Sequence, residues 1–297
     1  MAKIALTIDI EDWYHTPAIT GSNFSLYPDV FTFMETWKNK FDFLSNPTTR
    51  VLDILDELNL KATFFVVADV IDFYPGLVES IVECGHEIGC HGLHHSVKIH
   101  TSTKIPLCTV TEFEDQTGKA RELLQKSTGQ KIEGYRAPGA YVGKWMFKSL
   151  INLGFKYDSS VNPNSFFNKT DFNTKNIRTT PYVIAEQDGN KKLVEFPWCH
   201  WRVGSLRFPT AGGPFLRFLP AKYIISGLRD SLKRGETVFY FHPIDITNKK
   251  LPGIASSNFK RPLYFVTSGE KTEKKLKIIL NAFLQQWTMC ENILDLE

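Results

Sequence analysis

Gly85-His86-Glu87-Ile88-Gly89-Cys90-His91-Gly92-Leu93-His94-His95 places four histidines within ten residues of a chain that has only eight. Residues 87–90 read as a short strand, and the polar motif follows directly at His91. His91 and His95 stand four apart, so on a helical turn their rings share one face and offer two imidazoles to one metal ion. Gly92 occupies the position where the zinc-protease pattern carries its glutamate base. Any general base therefore comes from another part of the chain.

The strand-then-polar arrangement recurs outward from this stretch. Residues 4–8, 62–67, 134–136, 155–158 and 238–242 read as strands. Helical segments fall between several of them, at 50–58, 76–84, 110–126, 144–153 and 221–233. Residues 268–287 read as a closing helix, with Leu276, Ile279, Leu280, Phe283 and Leu284 at helical spacing. Strands alternating with helices indicate βαβ units and a parallel sheet, and six or more units suit a barrel as readily as an open sheet. Asp9, His91, Arg136 and His242 each end a strand, where parallel α/β folds gather their ligands. Residues 162–180 and 249–269 read as loops. No internal repeat and no firm boundary is visible, so residues 1–297 are read as one domain.

Composition narrows the function. A hydrophobic fraction of 42% supports a sizeable core, and a net charge of +3 gives no reason to expect a nucleic-acid partner. The pairs Lys191-Lys192 and Lys274-Lys275 read as ordinary solvated faces. Five cysteines without CxxC spacing suit a reduced, cytoplasmic protein better than a disulfide scaffold. Cys90 is expected as a small buried apolar residue. No apolar run reaches membrane-spanning length, and residues 1–9 read as a buried strand ending in an acid rather than as a signal peptide. The 23 phenylalanines suit both core packing and sugar stacking. The aromatic segment 13–43 and the Trp198–Trp201 region are candidates for flanking a site.

Three further motifs carry chemistry. Asp9-Ile10-Glu11-Asp12-Trp13 sets three carboxylates within four residues at a strand end. Like charges this close repel, and a divalent cation relieves the repulsion. One of these carboxylates is then a metal ligand beside another acting as base. Arg136, in Gly134-Tyr135-Arg136-Ala137-Pro138-Gly139, can hold a carboxylate through a bidentate pair. His242, in Phe239-Tyr240-Phe241-His242-Pro243-Ile244-Asp245, can act as a general acid.

With Thr7 to Trp13, Gly85 to His95 and Tyr135-Arg136-Ala137-Pro138-Gly139 go Tyr157-Asp158-Ser159-Ser160, Glu195-Phe196-Pro197, Gly212-Gly213-Pro214-Phe215 and Phe241-His242-Pro243. In this order and combination they make the chain resemble the polysaccharide deacetylase family, carbohydrate esterase family 4. It is most similar to the cytoplasmic branch found with bacterial surface-polysaccharide genes, from Ala5 to the region of Phe283. The resemblance implies an α/β fold, a distorted (β/α) barrel of about seven strands. It also implies a divalent metal, usually zinc, held by one aspartate and two histidines. His91 and His95 match those histidines, Asp9 the catalytic base, Arg136 the arginine that orients the base, and His242 the general acid.

Two positions depart from the family pattern. Ile10 stands where a second aspartate usually follows the first, so the metal carboxylate falls to Glu11 or Asp12. Strand alternation favours Glu11, on the same side as Asp9. A bulge at the strand end would bring Asp12 instead; the family's use of an aspartate leans slightly to Asp12, and both residues stay candidates. Gly92 replaces the Ser or Thr usual after the first motif histidine.

The implied reaction removes an N-acyl group, typically acetyl, from an amino sugar in a nucleotide sugar, a lipid-linked oligosaccharide or a polysaccharide. A backbone N–H in 135–137 would help to hold the oxyanion. The alternatives are a deformylase or metal-free cyclic amidase on the same scaffold, or a sugar-binding module that has lost activity.

Overall fold

β1 (Ile4–Ile10) is buried along its whole length. Its alternate residues serve two cores, because successive side chains of a strand point to opposite faces. Ile4, Leu6, Ile8 and Ile10 join the large outer core, and Ala5 joins a smaller cluster with Phe65, Tyr157, Phe196, Trp198 and Val238. The computed structural model describes residues 1–36, 42–188, 191–249 and 269–294.

β1 pairs in parallel with β2 (Thr63–Val66) on one side and β10 (Thr237–Phe241) on the other. The ladder continues in parallel through β3 (Glu87–Cys90), β4 (Gly134–Tyr135), β5 (Tyr157–Asp158) and β7 (Lys191–Glu195). These seven strands curl into a distorted barrel. A single bridge between Trp198 and Val238 ties the chain just past β7 to β10, where the Cys199 N–H also donates to the Val238 carbonyl at 2.9 Å. β6 (Tyr182–Gln187) adds an antiparallel edge to β7, β8 (His200–Val203) and β9 (Leu206–Pro209) form a separate hairpin, and β11 (Trp287–Thr288) pairs with the start of β1.

The helices cover the outside. α1 (Val30–Thr36) belongs to a side cluster; α2 (Ser45–Glu57) leads into β2; α3 (Val70–Phe73) and α4 (Leu77–Glu83) lie between β2 and β3. α5 (Val110–Thr128) and α6 (Lys144–Asn152) precede β4 and β5, and α7 (Gly213–Phe218) and α8 (Ala221–Leu232) precede β10. α9 (Glu270–Asn281) and α10 (Cys290–Leu294) close the described chain. α5 carries a full capping box, with the Thr109 hydroxyl accepting from the Glu112 N–H and the Glu112 carboxylate accepting from the Thr109 N–H.

All six strands expected from the sequence form, with ends shifted by one or two residues. α2 begins five residues earlier than the expected Arg50. Pro47 sits in its first turn, where a missing N–H breaks no helical bond. The closing helix stops at Asn281 rather than running to 287. Beyond it the chain turns back to form β11, and the Trp287 indole N–H donates to the Leu280 carbonyl at 2.8 Å. Most of the expected loop 249–269 lies outside the described residues.

Candidate active site

The carboxyl ends of the barrel strands converge on one cavity of about 340 Å³. Asp9, near the end of β1, and Glu11, just past it, both line this cavity, as the alternation of β1 requires. Asp12 does not. Its side chain caps the short turn Trp13–His15, accepting the Trp13 N–H at 2.7 Å and a hydrogen bond from the Tyr74 hydroxyl. Burial raises its pKa to about 6 against the opposing effect of the Tyr74 bond. Of the two carboxylates left open as the metal ligand, with a lean to Asp12, it is Glu11 that takes the inward position beside the histidines.

His91 and His95 are brought together, but not by a helix. Residues 91–95 form a loop in which Gly92 has φ +81° and His95 φ +53°. A side chain at the left-handed Gly92 position would be strained, which accounts for glycine where the family usually has Ser or Thr. The two rings lie 4.8 Å apart. His91 Nδ1 donates to the Arg136 carbonyl at 2.8 Å and His95 Nδ1 donates to the His15 carbonyl at 2.7 Å. A carbonyl only accepts, so both rings carry a proton on Nδ1 and turn Nε2 toward the cluster.

Ligand atoms of Glu11, His91 and His95 all lie within 4.8 Å of one another. His95 Nε2 is 2.6 Å from Glu11 Oε2, yet neither buried atom has a hydrogen-bond partner of good geometry. Burial would raise the Glu11 pKa, but the His95 and His242 charges hold it well below the usual carboxylate range. Burial lowers the His91 pKa to about 4, against the raising effect of Asp9, so its ring is neutral. Two imidazoles, that of His91 neutral, and one carboxylate, with ligand atoms this close together, make a donor set suited to an open divalent-cation site. The residues fit the group.

Beside this cluster Asp9 is held by Arg136, with Nη1 to Oδ1 2.5 Å. Arg136 is fully buried. Its Nε donates to the Ser159 carbonyl and its Nη2 to the Ser159 hydroxyl, both at 2.9 Å. Its guanidinium lies 4.1 Å from the centre of the Phe65 ring, with Trp198 and Tyr240 at 5.5 and 5.4 Å. Aromatic faces and fixed acceptors thus replace water around the charge. Breaking such a pair from one side costs roughly 3–5 kcal/mol.

His242 follows β10 and faces the cluster from the other side. Its Nε2 is 2.8 Å from Glu11 Oε1 and 3.9 Å from Asp9 Oδ2. Its Nδ1 is 3.2 Å from Asp245 Oδ2, and its main-chain N–H donates to the same oxygen at 2.8 Å. Arg217 Nε in turn donates to Asp245 Oδ1 at 2.6 Å. Burial would lower the His242 pKa, but Asp245 and Glu11 raise it to about 10. Gly213 makes room: a Cβ there would sit 2.8 Å from both His242 Nδ1 and Asp245 Oδ1.

The structure thus gathers Asp9, Glu11, His91, His95, Arg136 and His242 at one cavity and leaves Asp12 outside it. Of the N–H groups in 135–137, one of which was expected to help hold the oxyanion, that of Arg136 is engaged by the Cys90 carbonyl at 2.9 Å and that of Ala137 by the Ser160 hydroxyl at 2.8 Å. Cys90 is buried, and burial pushes its thiol up to about 12. Trp13, Tyr14, Phe33 and Phe43 form a side core of their own, whereas the exposed Phe24 and the buried Trp198 line the cavity. The supporting roles of Ser159, Arg217 and Asp245 were not read from the sequence. Asp245 alone left a local signal, an acid three residues after a strand-ending histidine.

The chain matches the polysaccharide deacetylase family model over residues 31–157, and residues 159–295 match a model described as a domain of unknown function (DUF3473). The first model ends within β5, so the barrel runs through both matched regions. A peptidoglycan deacetylase of Helicobacter pylori is 30% identical over 144 residues, which are 48% of this chain and 42% of that one. The chain therefore spans less than half the length of that relative. A structure designated a polysaccharide deacetylase, from Mycobacterium smegmatis, covers 99% of this chain and 90% of its own at 21% identity and a TM-score of 0.59. A CE4 family pseudoenzyme from Bacillus anthracis covers 99% of this chain and 66% of its own at 13% identity and a TM-score of 0.53. A structure designated a deacetylase and a pseudoenzyme share the fold, so activity has to be argued from the site.

Proposed function

Because residues 31–157 of this chain belong to the polysaccharide deacetylase family, we propose that it is a metal-dependent hydrolase removing an N-acyl group, typically acetyl, from an amino sugar of a bacterial surface glycan or its precursor. The observation that carries this reading is the convergence of the Glu11, His91 and His95 ligand atoms within 4.8 Å, beside the Asp9–Arg136 pair. A divalent cation, zinc first among them, held by these three residues would supply Lewis-acid polarisation of the acyl oxygen and a lowered pKa for a water beside it.

The remaining work belongs to the chain. Arg136 occupies Asp9 Oδ1 and leaves Oδ2 directed toward the cavity, where it takes a proton from the attacking water. The water oxygen bonds to the acyl carbon and the C–N bond breaks. His242, kept protonated by Asp245, gives its proton to the leaving amine nitrogen. The products are a free amino sugar and a carboxylate. A decayed binding module would have no need of the full set of base, arginine, acid and ligand residues retained here.

Acetate release from N-acetylated sugars, before and after chelation and zinc add-back, tests the proposal. Loss and recovery of activity support it. Activity that resists chelation points to a metal-free amidase; formate rather than acetate points to a deformylase; binding without release points to an inactive module. We place this reaction in the cytoplasm, on a precursor; five free cysteines support a reducing compartment. Recovery of the untagged native protein mainly from the periplasm or medium would contradict that location.

A further inference from the structure

Lys169 lines the same cavity as Glu11 and His242. It is carried by a loop fixed at two points. Thr170 bridges Val142, and Asp171 accepts the Lys144 N–H at the start of α6 at 2.9 Å. The ammonium group donates to the Gly139 carbonyl at 2.8 Å and stands 5.2 Å from the centre of the Tyr141 ring. A second ammonium, that of Lys104, faces the same ring at 5.0 Å and is also bonded to a main-chain carbonyl, Thr101.

Two ammonium groups thus face one aromatic ring, Tyr141, which lines the cavity together with Lys169. Among the described residues neither forms an ion pair with a carboxylate. A lysine ammonium has three donors, and the Gly139 carbonyl uses one of those on Lys169. Burial is the main cause that lowers the Lys169 pKa, to about 8, and the Lys104 charge adds to it against the raising effect of Glu11. An anion entering the cavity would offset the repulsion between the two charges and take remaining donors of Lys169.

We propose that the substrate carries an anionic group, a carboxylate or a phosphate, close to its acylamino group, and that Lys169 with Lys104 binds that anion beside Tyr141. This rests on the deacetylase reading above and sharpens its substrate class. Lys169 is here a specificity residue; the competing role is a staple for the Pro138–Ala140 turn through the Gly139 carbonyl alone.

The test compares three acetylated probes with zinc-loaded protein: neutral chitotetraose, UDP-N-acetylglucosamine for phosphate, and a hyaluronan tetrasaccharide for carboxylate. At least one anionic probe is expected to exceed the neutral probe in kcat/KM by about tenfold or more, and the better one identifies the anion. Lys169→Gln should raise KM for that probe by about tenfold or more with kcat little changed, the size expected for one charged hydrogen bond. Lys169→Arg should restore it, Lys104→Gln should act in the same direction more weakly, and the neutral probe should be unaffected. Equal losses on neutral and anionic probes would establish the staple and overturn the proposal, as would wild-type protein that uses all three equally well. If no probe is hydrolysed, the deacetylase reading fails, and binding of the same probes by tryptophan fluorescence decides this one. Anion-selective binding lost in Lys169→Gln keeps it, and unselective or absent binding ends it.

Discussion

Glu11 Oε2 lies 2.6 Å from His95 Nε2, while the neighbouring Asp12 carboxylate is turned away to Tyr74 and the Trp13 N–H. One residue of strand register thus decides which acid faces the two imidazoles. Elemental analysis of purified variants checks the consequence. Glu11→Ala and His91→Ala should each lose most of the bound divalent ion, whereas Asp12→Asn should retain it near the wild-type level. Metal loss in Asp12→Asn with retention in Glu11→Ala would reverse the assignment.

Asp9→Asn separates base from ligand. The amide oxygen can still accept from Arg136, so the buried guanidinium keeps its partners at Ser159 and here. The variant should keep its metal and fold, and keep or tighten substrate binding. Its turnover should fall at least about a hundredfold, the lower range for losing general-base catalysis. Turnover near wild type would remove Asp9 from the mechanism, and an emptied metal site would make it a ligand.

Asp245→Asn probes the acid. The Asn oxygen can still accept the His242 main-chain N–H, but the charge that helps to raise the His242 pKa to about 10 is gone. The pKa falls, so the protonated acid is lost at lower pH and the alkaline limb of the kcat/KM profile moves to lower pH. At pH 8 the loss should reach about tenfold or more. An unmoved alkaline limb would separate Asp245 from the proton donor.

His200 gives a stability prediction away from the candidate site. Burial, with Arg234 and Arg207 adding to it, lowers its pKa from 6.5 to about 3. The folded state therefore holds it neutral while the unfolded chain takes up a proton. Its contribution to stability is complete above pH 6.5 and is lost as pH falls from there toward 3. Denaturant unfolding of wild type and His200→Gln should diverge accordingly, wild type losing about 1.4 kcal/mol relative to the variant per pH unit below 6.5. Parallel pH dependence of the two proteins would refute it.

The inward pair Asp9 and Glu11 was legible in the sequence because β1 alternates strictly and Ile10 must join the outer core. Residue type in the family leaned to Asp12 and the strand's own periodicity to Glu11, and it is Glu11 that lies beside the two imidazoles. The meeting of His91 and His95 was also legible, though its cause was not: a left-handed glycine and a strained histidine do what a helical turn was expected to do. The partners of the catalytic groups were hidden for a simpler reason. Ser159 reaches Arg136 across 23 residues and Arg217 reaches Asp245 across 28, and spacing within one segment carries no trace of such contacts. Lys169 was hidden likewise, in a loop placed by its bridge to Val142.

The pairing of β1 with β10 has a consequence for the order in which the protein is made. Glu11, His91 and His95 leave the ribosome within the first third of the chain, whereas the seam that closes the barrel, and His242 at its end, arrive only after residue 237. The three residues proposed to hold a cation are therefore all synthesised well before the residue proposed as proton donor. The cavity lacks its last wall until synthesis has passed β10, so the proposed reaction would have to wait for that strand.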